Sequence, residues 1–399
     1  MEQRRQLVVD DRLFEWMRDI RRTIHQQPEL SFQEHDTSLY IQKKLKELSI
    51  PFVSGWGGTG VVGTLGGGEC GGGADHHVGL RADMDALPVK ELNHIDYASK
   101  NPGVMHACGH DGHVAMLLGA AALLSKINPC GRISLIFQPA EEYGNGAHKI
   151  IEEGALDDSL QAVFAGHIDT HYDTGTITVD EGIICSFADP FRITLKGSSG
   201  HAARPHETRD AIVAGCYLVT ALQTIVSRET DPNRAGVVSV GCFNGGSGHN
   251  IIGDTAVLEG TVRSSHPQVR SDILDGINRV MDSIGKLFRV DAKLDFLPGL
   301  PAVINSKTAT DVARAAAVAV VGHEGVISQG QPSLGAEDFS FYQQIADGCM
   351  VRFGASPGAE ASPAHCGTFN FDEKVLAVGA SWLATVALRW LGEYGEHSP

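Results

Sequence analysis

Three short apolar segments constrain the fold of this chain more than any other feature of its sequence. Residues 78–82, 133–137 and 162–165 are continuous runs of strand-forming side chains, separated by helical segments. Continuous apolar runs are typical of strands buried on both faces of a sheet. Strands that alternate with helices indicate βαβ units, whose strands run parallel. The sequence therefore predicts an α/β protein with a mixed, largely parallel sheet flanked by helices.

Chemically active side chains follow each of these strands at its carboxyl end. Asp83 and Asp85 leave the first strand, Glu141 and Glu142 leave the second, and His167 follows the third. Parallel strands present their carboxyl ends at one edge of the sheet, where α/β proteins usually bind ligands. We expect these groups to meet there. The alternative is that the paired carboxylates are solvated and cap the turns that follow the strands.

A cluster of metal-binding residue types stands between the first two strands. Residues 106–113 read HACGHDGH, directly before the apolar segment 114–124. Cys108 and His110 are too close in sequence to share one helical face, so we expect both in a loop that leads into a helix. Thiolate and imidazole are the ligands that suit zinc and its neighbours. The alternative is a turn with a buried cysteine and solvated histidines.

The sequence pattern changes after residue 182. Alternating strands (191–196, 236–243, 256–263 and 290–296) combine there with helical segments at 211–225 and 272–287. This pattern predicts a compact α+β unit within a chain whose 399 residues exceed what one core usually supports. We expect a discontinuous catalytic domain, residues 1–185 and 298–399, and an inserted domain, residues 186–297.

Composition and charge exclude several classes of protein. The formal net charge of −16 argues against nucleic acid and anionic membranes as partners. No window of 18 uninterrupted apolar residues predicts a membrane span. Residues 1–22 are charged throughout, unlike a secretory signal. The eight cysteines show no framework spacing, which predicts reduced thiols in a cytoplasmic protein.

Four motifs together resemble the M20 metallopeptidase superfamily. They are RADMDALP at 81–88, HACGHD at 106–111, QPAEE at 138–142 and GAEDFS at 335–340. The resemblance is to the amidohydrolase branch, which includes hippurate hydrolases, N-acyl-amino-acid amidohydrolases and auxin-conjugate hydrolases. It implies a catalytic domain for two metal ions and an inserted dimerisation, or lid, domain.

The resemblance also implies roles for residues of the first domain. The family's metal ligands fall on Cys108, His110, Glu142, His167 and His365. They would hold two divalent transition-metal ions, which could be zinc, manganese, cobalt or nickel. Glu141 falls on the general acid/base position, and Asp85 on a residue that supports the ligands. Adjacent residues that leave a strand point in opposite directions, so Glu142 can bind metal while Glu141 faces the water.

Three residues of the insert match positions that act on the substrate in relatives. His201 falls on a residue that polarises the substrate, and Asn250 and Arg263 fall on substrate contacts. A guanidinium matches carboxylate geometry, so we expect Arg263 to bind the substrate's free acid. The resemblance implies a homodimer in which the inserts form an extended sheet and His201 enters the neighbour's active site.

The sequence as a whole predicts a metal-dependent hydrolase of N-acylated amino acids or related small amides. A metal-activated water would attack the amide, with Glu141 as general acid and base. One alternative is hydrolytic deamination of an aromatic or other small amine, and another is a non-catalytic metal-binding dimer. The acyl group, the amine, the native metal and the roles of Asp83, Cys185 and Cys366 stay open.

Overall fold

The computed structural model describes residues 7–67, 76–127 and 129–392. Eight α-helices lie in this part of the chain. They are α1 (Asp11–Gln26), α2 (His35–Glu47), α3 (His110–Leu124), α4 (Gly146–Glu152), α5 (Ala211–Thr224), α6 (Pro267–Phe288), α7 (Lys307–Gly325) and α8 (Val375–Trp390). A π-helical segment, Ile225–Glu229, continues α5.

Sixteen strands lie in the same described residues. They are β1 (Phe52–Trp56), β2 (Gly60–Gly66), β3 (His77–Asp83), β4 (Arg132–Gln138), β5 (Ala162–Asp173), β6 (Ile177–Thr178), β7 (Gly182–Cys185), β8 (Phe187–Lys196), β9 (Gly200–His201), β10 (Gly236–Gly245), β11 (Ile251–Ile252), β12 (Thr255–Ser264), β13 (Asp291–Phe296), β14 (Val303–Asn305), β15 (Val326–Ile327) and β16 (Asp347–Ser356).

Backbone contacts divide the chain into two compact units. Unit 1 comprises Met1–Gly182, Ile304–Gly330 and Asp338–Pro399, and unit 2 comprises Ile183–Val303 and Gln331–Glu337. The sequence placed the insert at 186–297. It gave no sign that the short segment Gln331–Glu337 groups with the insert, because that segment has no periodic pattern of its own.

Unit 1 is built on an eight-stranded sheet of order β1-β2-β4-β3-β5-β16-β6-β15. The pairs β4–β3, β3–β5 and β5–β16 are parallel, whereas β1–β2 and β2–β4 are antiparallel. This confirms the predicted mixed, largely parallel sheet. The sequence ended the third strand at residue 165, but β5 continues to Asp173 because β16 pairs along its length. His167 therefore lies within a strand.

Helix α3 is the core helix of unit 1. All fifteen of its residues are buried, because it is apolar on every face. Gly119 allows α1 to approach α3, since a Cβ there would lie 2.1 Å from the Met17 sulfur. Gly379 of α8 has the same function, with a hypothetical Cβ 1.9 Å from the Met116 sulfur. The loop that begins α3 is therefore carried by a tightly packed helix.

Unit 2 contains a four-stranded antiparallel sheet of order β10-β12-β8-β13. Helices α5 and α6 pack on this sheet, and α5 buries Ala214, Leu218 and Leu222 at helical spacing. The stretch Ala211–Glu229 is long and apolar enough to cross a membrane by length and composition, with 33% of its window buried. Core helices of globular domains meet the same criterion, so this is weak evidence for a span.

The cysteines differ in one respect from the prediction of reduced thiols. Cys130 is disulfide-bonded, which corrects that prediction at this position. The other six described cysteines are free thiols: Cys108, Cys185, Cys216, Cys242, Cys349 and Cys366. Scattered spacing gives no information on which thiols a fold brings together, so the sequence could not predict this bond.

Candidate metal centre

The five predicted ligands come from four separate parts of unit 1. Cys108 and His110 lie at the start of α3, Glu142 in the turn after β4, His167 in β5, and His365 in the segment before α8. Two groups of three have ligand atoms within 4.8 Å of one another. One group is Cys108, His110 and His167, and the other is Cys108, Glu142 and His365. The fold brings all five together, with the Cys108 thiol common to both groups.

Distances inside the cluster are short. The Cys108 Sγ lies 3.4 Å from the His167 Nε2, and the His365 Nε2 lies 3.3 Å from the Glu142 Oε1. The His110 Nε2 is 4.0 Å from the carboxylates of both Glu141 and Glu142. Donors at these separations can share a small cation.

Hydrogen bonds fix which nitrogen of two of the imidazoles faces the cluster. The His110 Nδ1 lies 2.9 Å from the main-chain oxygen of Asp85, and the His167 Nδ1 lies 2.6 Å from that of Ile168. A carbonyl oxygen only accepts, so each Nδ1 carries a proton, and in the neutral imidazole, the form that binds a metal, Nε2 keeps the lone pair. The His110 Nε2 is buried and has no hydrogen-bond partner among the described residues. A lone pair left this way fits a metal ion.

Asp85 holds three parts of the cluster at once. Its carboxylate accepts from the main-chain N–H groups of Glu141 and Glu142 at 3.1 and 3.0 Å, and its Oδ1 lies 3.2 Å from the His110 Nδ1. The Ser31 hydroxyl donates to its other oxygen at 2.7 Å. Burial raises the pKa of Asp85, but the hydrogen bond and the charge of His110 lower it by more. The net pKa is below its usual value, so the group is ionised. Asp85 thus orients ligands.

Two residues of the cluster lie on strained backbone. Ala140 and His365 have φ of 53° and 66°, a region that non-glycine residues rarely adopt. The Ala140 N–H donates to the Glu34 Oε1 at 2.9 Å, and the His365 N–H to the Ala107 oxygen at 2.7 Å. Such strain persists only where surrounding contacts determine it, and it is concentrated at functional sites.

The two adjacent glutamates lie outside the strand that precedes them. Glu141 and Glu142 lie in a turn, so the alternation of a strand does not apply to them. Both carboxylates lie within 4.8 Å of the ligand atom of His110. Strand alternation therefore does not decide how the two side chains divide their roles. Their separate roles as base and ligand stay a prediction.

Asp83, whose role the sequence left open, accepts hydrogen bonds from two buried side chains. Its Oδ1 accepts from the His113 Nδ1 at 2.6 Å, and its Oδ2 from the Arg81 guanidinium at 2.6 Å. The His113 Nε2 accepts from the Ile168 N–H at 2.9 Å. Both nitrogens of His113 are therefore used, and it is not available as a ligand.

Arg81 is a residue that the sequence reading missed. It is 3% exposed, and it binds Asp83, Gln138 and Asp338 at 2.6–2.9 Å. A cation buried between carboxylates from different parts of the chain ties these parts together. The available signal was an arginine inside an otherwise apolar strand, VGLRAD.

Negative charge dominates the cluster. Hydrogen bonds to Cys108 and Glu142 raise the pKa of His365 to about 10. Burial lowers the pKa of His110, but the charges of Asp83 and Cys108 raise it more, to well above its usual range. Burial and the charge of Arg352 lower the pKa of His167. The anionic groups that raise the pKa values of His365 and His110 also attract a divalent cation.

The predicted site residues of unit 2 lie in two places. His201 in β9 pairs with Ile251 in β11, so Asn250 lies beside it. The Ala202 N–H donates to the main-chain oxygen of Asn250 at 3.1 Å, and the Ala203 N–H donates to the His201 Nδ1 at 3.0 Å. Both residues are exposed, and the His201 Nε2 keeps its hydrogen.

Arg263 lies in β12 of the four-stranded sheet. One guanidinium nitrogen, Nη1, is buried without a hydrogen-bond partner among the described residues. Burial lowers the pKa of Arg263, although the charge of Asp189 opposes this. A partly buried cation with an unused donor can bind a carboxylate.

Comparisons with known proteins show what this chain is similar to. The profile described as peptidase family M20/M25/M40 matches residues 79–389. The chain is 37% identical to an IAA-amino acid hydrolase of Arabidopsis thaliana, over 95% of this chain and 87% of that protein. It is 39% identical to an N-acetyl-L-cysteine deacetylase of Bacillus subtilis, over 94% of this chain and 88% of that protein.

A solved structure is similar to this chain along its length. It is a dinuclear metal-binding peptidase of the M20 family from Bacillus subtilis, 32% identical, with a TM-score of 0.83. The match covers 96% of this chain and 100% of that one.

Proposed function

This chain belongs to peptidase family M20/M25/M40 and is a metal-dependent amidohydrolase, and we propose that it removes the acyl group from N-acylated amino acids. The observation that carries the proposal is the convergence of five ligand-type side chains on two groups that share Cys108. The names of two similar proteins, an IAA-amino acid hydrolase and an N-acetyl-L-cysteine deacetylase, support the substrate class.

Cys108, His110, Glu142, His167 and His365 would hold two metal ions. The unpartnered His110 Nε2 and the shared thiol fit this role. When bound, the ions supply Lewis acidity for the attacking water and the amide carbonyl. We propose zinc, manganese, cobalt or nickel, because a thiolate and imidazoles accept all four.

Glu141 would take a proton from the attacking water and later donate it to the leaving amine. Its position supports this, since it is 9% exposed and its main-chain N–H is anchored on Asp85. We propose that Arg263 binds the substrate carboxylate through its unused Nη1, and that Asn250 contacts the substrate. His201 would donate from its Nε2 to the oxygen on which charge develops.

We propose a homodimer formed by unit 2. Strand β10 is at the edge of the four-stranded sheet and leaves Phe243 38% exposed. Helix α5 exposes Val213 and Tyr217 to 42% and 58%. An open edge strand beside exposed apolar side chains favours pairing with a second copy.

The decisive experiment is a substrate and metal panel. Protein purified without chelator is analysed for transition metals and assayed on N-acyl amino acids with added Zn²⁺, Mn²⁺, Co²⁺ or Ni²⁺. We expect two ions per subunit and release of the free amino acid. Full activity after dialysis against EDTA, with no transition metal present, would contradict the proposal.

A further inference from the structure

A short segment between α1 and α2 is fixed to the loops that carry the metal centre. The Ala86 N–H donates to the Glu29 oxygen at 2.8 Å, and the Ser31 hydroxyl donates to Asp85 at 2.7 Å. The Ala140 N–H donates to the Glu34 carboxylate at 2.9 Å. These three contacts hold residues 29–34 in place beside Glu141 and Glu142.

Phe32 lies in the middle of this fixed segment, on strained backbone. Its φ is 64°, which is unfavourable for an aromatic residue and suits glycine. Its ring lies 6.0 Å from the ring of Tyr143, at an angle of 69°. A bulky residue held in this conformation indicates that its ring position matters.

Tyr143 directly follows the predicted ligand Glu142. It is 74% exposed, the most exposed large hydrophobic side chain in the described part of the chain. The Lys149 ammonium lies 4.0 Å from the centre of the Phe32 ring and holds it by a cation–π contact. The lysine covers one face of Phe32, so Tyr143 carries more of the open aromatic surface of this pair.

We propose that Phe32 and Tyr143 receive the acyl group of the substrate and favour aromatic acyl groups over acetyl. This inference rests on the proposed function. The amino-acid half of an N-acyl amino acid carries a carboxylate and needs a cation, whereas the acyl half is uncharged. An open aromatic surface beside Glu142 therefore suits the acyl half, and an aromatic acyl group gains most from contact with it.

The first test compares acyl groups on one amino acid. The value of kcat/KM is measured for N-benzoylglycine and N-acetylglycine with the wild type, Tyr143→Ala and Tyr143→Phe. We expect Tyr143→Ala to lose about 10-fold on the benzoyl substrate and less than about 2-fold on the acetyl substrate. Tyr143→Phe should keep the wild-type ratio, because it keeps the ring.

The matched control is Tyr40→Ala. Tyr40 is a half-buried tyrosine of α2 whose ring also has a lysine beside it, with the Lys44 ammonium at 5.3 Å. We expect this variant to leave the benzoyl-to-acetyl ratio unchanged. N-acetylphenylalanine tests the other half of the substrate. Tyr143→Ala should lower its kcat/KM by no more than it lowers that of N-acetylglycine.

Phe32→Gly separates packing from selectivity. Glycine relieves the backbone strain but removes the ring, so the variant should fold and still lose preference for the benzoyl substrate. Binding is measured by calorimetry in a Glu141→Gln background, which gives a Kd without turnover. In that background, both Phe32→Gly and Tyr143→Ala should weaken the binding of N-benzoylglycine about 10-fold more than the binding of N-acetylglycine.

Two outcomes would overturn the inference. One is an equal loss on both acyl groups, and the other is a loss that follows the amino-acid side chain instead of the acyl group. If the wild type hydrolysed no N-acyl amino acid, the proposed function would fail first. Equal hydrolysis of benzoyl and acetyl substrates by the wild type would leave that function intact and refute only the selectivity.

Discussion

The two units hold their predicted site residues in different ways. In unit 1, buried groups anchor the site: Asp85 holds His110 and the N–H groups of Glu141 and Glu142, and Asp83 holds His113. In unit 2, His201 and Asn250 are exposed, and Arg263 has an unpartnered nitrogen. Unit 1 therefore preorganises its side chains with buried hydrogen bonds, whereas those of unit 2 are exposed or keep an unused donor.

The largest expected effect tests the division of labour inside unit 1. Glu141→Ala should lower kcat by about 10²–10⁴-fold, the usual size of general acid–base catalysis, and keep the metal content. Glu142→Ala should lose metal, because a ligand is removed. Steady-state kinetics and elemental analysis of both variants check this. Equal loss of metal in both, with no separate turnover defect in Glu141→Ala, would refute the assignment.

The next prediction concerns the exposed His201 of unit 2. Removing a donor to the developing oxyanion costs about 10²–10³-fold in rate, so His201→Ala should show a defect of that size. If His201 serves the partner's active site, a mixed dimer of His201→Ala and Glu141→Ala subunits regains one working site. Activity of the mixture is compared with that of each homodimer. A mixture as inactive as its parents would exclude action in trans.

A smaller effect is expected where one buried carboxylate orients several ligands. Asp85→Asn should weaken metal binding about 10- to 100-fold, because an amide cannot accept from the same set of donors. Asp189→Asn is the matched control in unit 2, since Asp189 is 8% exposed and binds Arg270 at 2.6 and 2.8 Å. It should lower stability and leave metal affinity unchanged. Titration of the apoprotein with metal measures the affinity of both variants, and urea unfolding measures their stability.

The sequence predicted the elements of unit 1 well where one strong local pattern acts alone. The apolar runs became β3, β4 and the start of β5, and the polar residues after them met at one edge of the sheet. The direction of Glu141 and Glu142 could not be predicted, because it depends on a turn fixed by Glu34 and Asp85. Contacts between residues far apart in sequence leave no periodic signal.

The same reason explains what was missed at Arg81 and Phe32. A single arginine in an apolar strand shows burial of a charge but not its partners, which come from residues 138 and 338. Phe32 has no sequence feature that announces a positive φ. Family resemblance supplied the ligand set, and the structure supplied the hydrogen bonds that orient it.

The smallest expected effect asks whether firm anchoring in unit 1 extends beyond the metal centre. His77 lies at the amino end of β3, is 2% exposed, and its nitrogens lie 3.0 Å from the Ser159 hydroxyl and 2.8 Å from the Ser134 hydroxyl. Burial and the nearby Arg132 lower the pKa of His77 to about 4. Between pH 6.5 and 4 the unfolded chain therefore binds a proton that the folded protein does not.

Stability must then fall as the pH drops through this window, because protonation of His77 favours the unfolded state. We expect a loss of about 1–2 kcal/mol of unfolding free energy between pH 7 and pH 4.5 that His77→Gln does not show. Urea unfolding of both proteins at the two pH values measures the difference, and effects of acid on the metal centre cancel because both proteins share it. If the two proteins showed the same pH dependence, His77 would be ionising freely, and the firm anchoring would be confined to the residues around the metal centre.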